Sequence, residues 1–172
     1  DKDYRNMGLL WDVLQALSSA AGSTDLAAKV VERLFAVLHP TRASFFVTGD
    51  AGERLLFGQQ RLDDGVEPRL LLPAERSEDE RAVVTAAVDA GAVRQRATHL
   101  VTVEGERRPH VAVAVPLVTE GRTLGAICLV GSPAVLDLDR TDVHVLTGVA
   151  GQLAVALDRE HHLGGGSERV LA

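Results

Sequence analysis

Only one cysteine, Cys128, occurs in the 172 residues, so the chain forms no internal disulfide and fits a reducing compartment. Aromatic residues are scarce at 3%, which leaves the core to Leu, Val and Ala. Lys and Arg total 18 against 24 Asp and Glu, a net charge of −6. Phosphate neutralisation needs clustered cations, so this balance argues against nucleic acid as a partner. No apolar run approaches the roughly 20 residues of a membrane span, and no signal-peptide pattern opens the chain. Catalytic signatures are lacking too: no P-loop, dinucleotide fingerprint, His-Glu-x-x-His or Gly-x-Ser-x-Gly elbow is present. What is there is 46% hydrophobic and 24% charged, the composition of one ordinary domain able to bury a core. The expectation is a cytoplasmic, non-catalytic domain. Its first residue is Asp1 rather than Met, which suggests a piece of a longer protein.

Helical spacing of Met7, Leu10, Trp11, Leu14 and Leu17 predicts a first helix over Asp3–Ala21, ended by Gly22. Ser23 then reads as the N-cap of a second helix that buries Leu26, Val30, Val31, Leu34 and Leu38. Pro40 stops it near His39. Strands are predicted over Arg42–Gly49 and Arg54–Gln60, with a short edge strand near Arg69–Leu72. Ser77 and Glu80 form a capping box for a middle helix carrying Val83, Val84, Ala87 and Val88, closed by Gly91. "AVRQR" reads as a short strand, and Thr98–Pro109 as a long exposed loop: a solvated connection, or a flap beside a pocket.

The run "VAVAVPLVTEGRTLGAICLVG", Val111–Gly131, reads as two strands about the tip Thr119–Arg122. Both its faces are apolar, and Ala112 and Ala114 alternate in its first strand, so something must cover each face of the sheet. A last helix is predicted from Arg140 to His161. Its apolar residues, Val145, Val149 and Ala156 among them, exceed what one sheet face can cover. Asp137 and Asp139 before it suit helix capping better than calcium, since the loop glycine and terminal glutamate of a calcium loop are missing. No metal site is expected. Residues 1–162 read as one domain and residues 163–172, Gly-rich, as a linker or tail.

The order helix, helix, hairpin, middle helix, central hairpin, long helix resembles a GAF domain, the small sensory module of bacterial signalling proteins. "LLWDVLQALSSAAGSTDLAAKVVERL" (Leu9–Leu34) resembles the family's opening helices. "VPL" (Val115–Leu117) with "GRTLGAICLVG" (Gly121–Gly131) resembles its central hairpin, and "DRTDVHVLTGVAGQLAVALDRE" (Asp139–Glu160) its closing helix. The resemblance implies an α/β sandwich of the α+β type. A central antiparallel sheet of five or six strands would carry the terminal helices on one face and the middle helix with loops on the other.

It also implies a regulatory role: an unidentified small molecule held between sheet and roof, and an output domain attached beyond the last helix. A fold that holds two chains together without a ligand is the alternative. Ser44 matches a ligand-contacting serine of nucleotide-binding members, Phe46 shares its strand face, and Gln60 ends the next strand. Ser44 equally suits a local backbone hydrogen bond. Ala112 and Ala114 either leave room for a ligand or let a helix approach the sheet. The Asn-Lys-Phe-Asp-Glu signature of the phosphodiesterase modules is absent. Methionine sulfoxide reduction in this family uses several cysteines, and bilin attachment a cysteine in a loop or helix. Cys128 suits neither and reads as a core residue. Haem is a further cofactor of the fold, for which His99 or His110 would be the axial candidates. A homodimer is expected through the first and last helices, with Met7, Trp11, Leu14, Val145, Val149 and Ala156 at the interface. Gly148 and Gly151 would let a neighbouring helix approach.

Overall fold

The computed structural model describes the backbone of residues 2–171 except 51, 62–66 and 103, and the side chains of 4–160 among them. Six strands form one antiparallel sheet in the order β3-β2-β1-β6-β5-β4. They are β1 (Arg42–Gly49), β2 (Gly52–Gln60), β3 (Arg69–Leu70), β4 (Arg94–Val101), β5 (Arg107–Thr119) and β6 (Arg122–Gly131). The helices are α1 (Lys2–Ser19), α2 (Ser23–Leu38), α3 (Glu78–Ala90) and α4 (Arg140–Leu171), with a 3-10 turn at Pro73–Glu75.

Strand alternation sorts the core into two layers. Phe45, Val113, Val115, Leu117, Ile127 and Leu129 point to one face and pack with Leu9, Val13, Leu34, Leu146, Val149 and Leu153 of α1, α2 and α4. Phe46, Ala112, Ala114, Ala126, Cys128 and Val130 point to the other and meet Val83, Val84 and Ala87 of α3. The central hairpin is apolar throughout because helices cover both of its faces. The small side chains lie beneath α3, and their lack of bulk lets that helix sit close to the sheet. Gly125 brings β6 nearer still to β1: a Cβ there would stand 2.0 Å from the carbonyl oxygen of Phe46.

Several expectations change. Ser23 is not an N-cap but the first residue of α2. Gly22, at φ 111°, occupies the cap, and the Glu160 carboxylate of α4 accepts the Ser23 N–H at 2.9 Å. The inner stripe of α1 is Leu9, Val13 and Ala16, while Leu10 lies outward. Thr98–Pro109 is no loop. β4 and β5 form a hairpin with His99 opposite Pro109, closed by a turn at Gly105, so the flap reading falls. Pro109 has no N–H to donate, and it lies before Val111, where β6 joins β5. α4 begins with reciprocal capping: Asp139 Oδ1 accepts from the Asp142 N–H at 2.8 Å, and Asp142 Oδ2 from the Asp139 N–H at 3.1 Å. Its backbone stays helical to Leu171, across the Gly-rich stretch read as a linker or tail. No helix among the described residues is long and apolar enough to cross a membrane.

Candidate functional site

On β1, alternation directs Arg42, Ser44 and Phe46 to the α3 side of the sheet. Ser44 is 1% exposed and pairs with Cys128 of β6; its hydroxyl stands at the 3.5 Å limit of a bond to the Cys128 carbonyl. That long contact leaves the hydroxyl weakly engaged. Phe46 is covered by Arg76, whose guanidinium carbon lies 3.8 Å from the ring centroid. Ala112 and Ala114 are fully buried on the same face. These predicted positions therefore share one floor.

A chain of polar groups, buried at Glu80 and Gln60 and open to solvent at Arg69, runs above β1. Arg42 Nη1 meets Glu80 Oε1 at 2.5 Å, and its Nε donates to Gln60 Oε1 at 3.1 Å. Gln60 Nε2 donates in turn to Glu75 Oε2 at 2.7 Å, and Arg69 Nη2 reaches the same oxygen at 2.7 Å. Gln60, predicted as a ligand contact, is thus a relay between two ion pairs. The Arg69 guanidinium, with the Leu72 N–H, holds the Glu75 carboxyl at about 2, far below its ordinary 4.5. Glu80 is set by the capping box: its N–H binds Ser77 Oγ at 3.1 Å and its Oε1 accepts the Ser77 N–H at 3.3 Å. Ion pairs of this kind hold position more than they add stability, since desolvation offsets much of the Coulomb gain.

Among the described residues, three polar atoms in this layer lack a partner. Arg76 is 8% exposed and spends only Nη1, on Glu53 Oε2 at 3.3 Å; its Nε and Nη2 bond nothing. Glu80 Oε2 is likewise buried and unpartnered. A buried group of this type left unmade costs about 1–3 kcal/mol, so such atoms mark a place for a water or a ligand. The sequence hinted at Glu80 only through its cap; Arg76 carried no signal there, because its position over Phe46 is a tertiary fact.

Cys128 lies between these groups. Burial pushes its thiol far above the ordinary value, the Glu80 carboxylate adds to the rise, and Arg76 opposes it. It is a protonated core thiol. His99 is exposed on β4, on the face opposite Thr98 and Leu100, which turn inward. His110 has one ring nitrogen 3.0 Å from the Arg108 carbonyl and the other 3.5 Å from Thr41 Oγ1. His99 faces away from the floor, whereas His110 shares the face of Ala112 and Ala114 and turns to Thr41 at its margin. The two best-formed cavities lie elsewhere. One of about 80 Å³ sits between Val93, Pro116 and Gly151, and an open groove of about 410 Å³ runs beside Phe35, His39 and Arg61.

At the terminal helices, Met7, Trp11 and Leu14 are 71%, 63% and 50% exposed. Val145 and Ala156 are half-buried against the core. Val149 is fully inside it and has no surface to offer a partner.

Comparison with known proteins closes the question of family. The sequence model described as "GAF domain" matches residues 20–158. The chain belongs to the GAF family. Its fold is similar to that of the GAF domain from a Coxiella burnetii phosphoenolpyruvate-protein phosphotransferase, with TM-score 0.66 and 14% identity over 96% of this chain and 99% of that one. It is also similar to the free methionine-R-sulfoxide reductase of Neisseria meningitidis, solved with its substrate: TM-score 0.65, 17% identity, 95% and 94% covered. The GAF domain of the Escherichia coli potassium sensor histidine kinase gives TM-score 0.57 at 20% identity, covering 92% and 96%. No protein of curated function matches. As a GAF domain, the chain has the layered architecture read from its sequence.

Proposed function

We propose that this GAF domain is a regulatory module that binds a small molecule between the sheet and the α3 roof and pairs with a second copy through its terminal helices. The carrying observation is the set of unpartnered buried atoms on Arg76 and Glu80 above the floor of Ser44, Phe46 and Cys128. A roof that only packed would not leave a guanidinium edge unmade in the interior. GAF domains from sensor kinases among the similar structures favour the regulatory role, and the proposal includes an output domain joined through α4. The lone, buried, protonated Cys128 favours regulation over thiol catalysis. Cytoplasmic residence follows the same reading, as does a surface of net charge −6 that makes no nucleic-acid contact. Native mass spectrometry and absorbance spectra of the purified domain test it: a co-purifying small molecule supports the sensor, and a bare protein indifferent to metabolites counts against it.

The pairing reading rests on α1. Tyr4, Met7, Trp11 and Leu14, all at least half exposed, recur at intervals of three, four and three residues, the a/d rhythm of a helix–helix seam. Leu10 borders this stripe, and Val155 is exposed on α4. A second copy of the same stripe is the simplest self-complementary cover. The scaffold without ligand is the second reading. It is favoured by the direct seating of Val83, Val84 and Ala87 on Ala112, Ala114 and Ala126, and by Arg76 covering Phe46 at 3.8 Å.

A further inference from the structure

The unpartnered atoms at the roof are not equivalent, and their chemistry narrows the ligand. Nε and Nη2 form one edge of the Arg76 guanidinium, whose two N–H bonds run side by side and fit the two oxygens of a carboxylate. The opposite corner, Nη1, already faces Glu53. The guanidinium carbon lies 3.8 Å from the centroid of the Phe46 ring, a cation–π contact that favours this placement. Glu80 has the reverse need. Its Oε1 serves Arg42 and the Ser77 N–H, while Oε2 is an ionisable acceptor with no donor.

Arg42 and Phe46 flank Ser44 on the same strand face, about 6–7 Å to either side. Glu80 sits over the first and Arg76 over the second. The residues carrying the donor edge and the acceptor oxygen are thus seated over the two face-neighbours of Ser44, with apolar Cys128 on the next strand, β6, and Ala112 and Ala114 on β5 beyond it. Cys128 pairs with Ser44 across β1 and β6 and faces the same side of the sheet.

From this arrangement we infer that the site takes a small zwitterion, a free amino acid or a close analogue, with its carboxylate on the Arg76 edge and its ammonium on Glu80 Oε2. The inference rests on the ligand-binding reading above. Ser44 Oγ, held only at 3.5 Å by the Cys128 carbonyl, turns to the carboxylate or ammonium as a third contact. Phosphate esters fit less well. Glu80 repels their second charge.

The test titrates the purified chain with L-amino acids, with acetate and methylammonium as half-probes, and with AMP, following calorimetry and thermal shift. At least one amino acid binds, while acetate and methylammonium, alone or mixed, bind at least about tenfold more weakly. Arg76→Lys keeps the charge but removes the parallel edge, and weakens that binding by about tenfold or more; Glu80→Gln does the same. The unliganded melting temperature of Arg76→Lys stays close to wild type, which separates loss of the site from loss of the fold. Binding of AMP or an uncharged metabolite in place of every amino acid overturns the zwitterion and leaves the sensor reading intact. Binding of an amino acid that Arg76→Lys does not weaken also overturns it. Failure of every probe at millimolar concentration, with nothing co-purifying, overturns both.

Discussion

Cys128 and Glu75 are two buried or bridged groups whose protonation follows from their neighbours. Burial, with Glu80 beside it, keeps the Cys128 thiol protonated, and the thiol form is not the nucleophile. The native protein will therefore resist iodoacetamide at mildly alkaline pH and react once denatured. Equal rates in both states would show that the thiol is not enclosed by the roof. Glu75 behaves in the opposite sense. Its folded value of about 2 lies below the ordinary 4.5, with Arg69 as the main cause. Its stabilisation is complete above about 4.5 and disappears as pH falls through about 2. Urea midpoints of wild type and Glu75→Gln should differ at neutral pH and converge in acid; a pH-independent gap would show that charge is not the cause. Cys128 was legible in the sequence as a core residue, but Glu75 was not. Gln60 joins Arg42 and Glu75, 18 and 15 residues away, and only the fold brings these residues together.

The elements were read more securely than the contacts between them. β1 runs over Arg42–Gly49 as its apolar pattern predicts, and Ser77 and Glu80 cap α3 reciprocally, so Ser77→Ala should lower stability by about 1 kcal/mol in chemical denaturation. No loss would mean that the cap is redundant. Gly125 has a harder constraint. Alanine there would place its Cβ on the Phe46 backbone, and Gly125→Ala should cost about 3 kcal/mol or more, measurable as a large fall in melting temperature. A well-folded, equally stable variant would contradict the β1–β6 spacing. The β4–β5 hairpin was missed because charges and Pro109 masked an alternation that is present. Thr98 and Leu100 turn inward while His99 and Val101 face out. Ser23 was misread as a cap because the true partner of its N–H, Glu160, is 137 residues distant.

At the scale of the molecule, a six-stranded sheet is covered by α1, α2 and α4 on one side and by α3 on the other, and the proposal gives each side its own task. The helical side keeps a stripe of Tyr4, Met7, Trp11 and Leu14 outside its own core. Sedimentation equilibrium should give a dimer that Trp11→Glu converts to a folded monomer; a wild-type monomer at micromolar concentration would remove the pairing proposal. Val149→Glu is not a fair probe, because it would place a charge in the core. The roof side keeps Arg76 and Glu80 incompletely satisfied above Ser44, which is the claim on which the functional account stands. The most direct measurement is native mass spectrometry of the freshly purified chain beside its Arg76→Lys variant. The account predicts a wild-type dimer carrying a small added mass, released on denaturation and diminished in the variant. A bare protein of unchanged mass that also ignores added amino acids would contradict it.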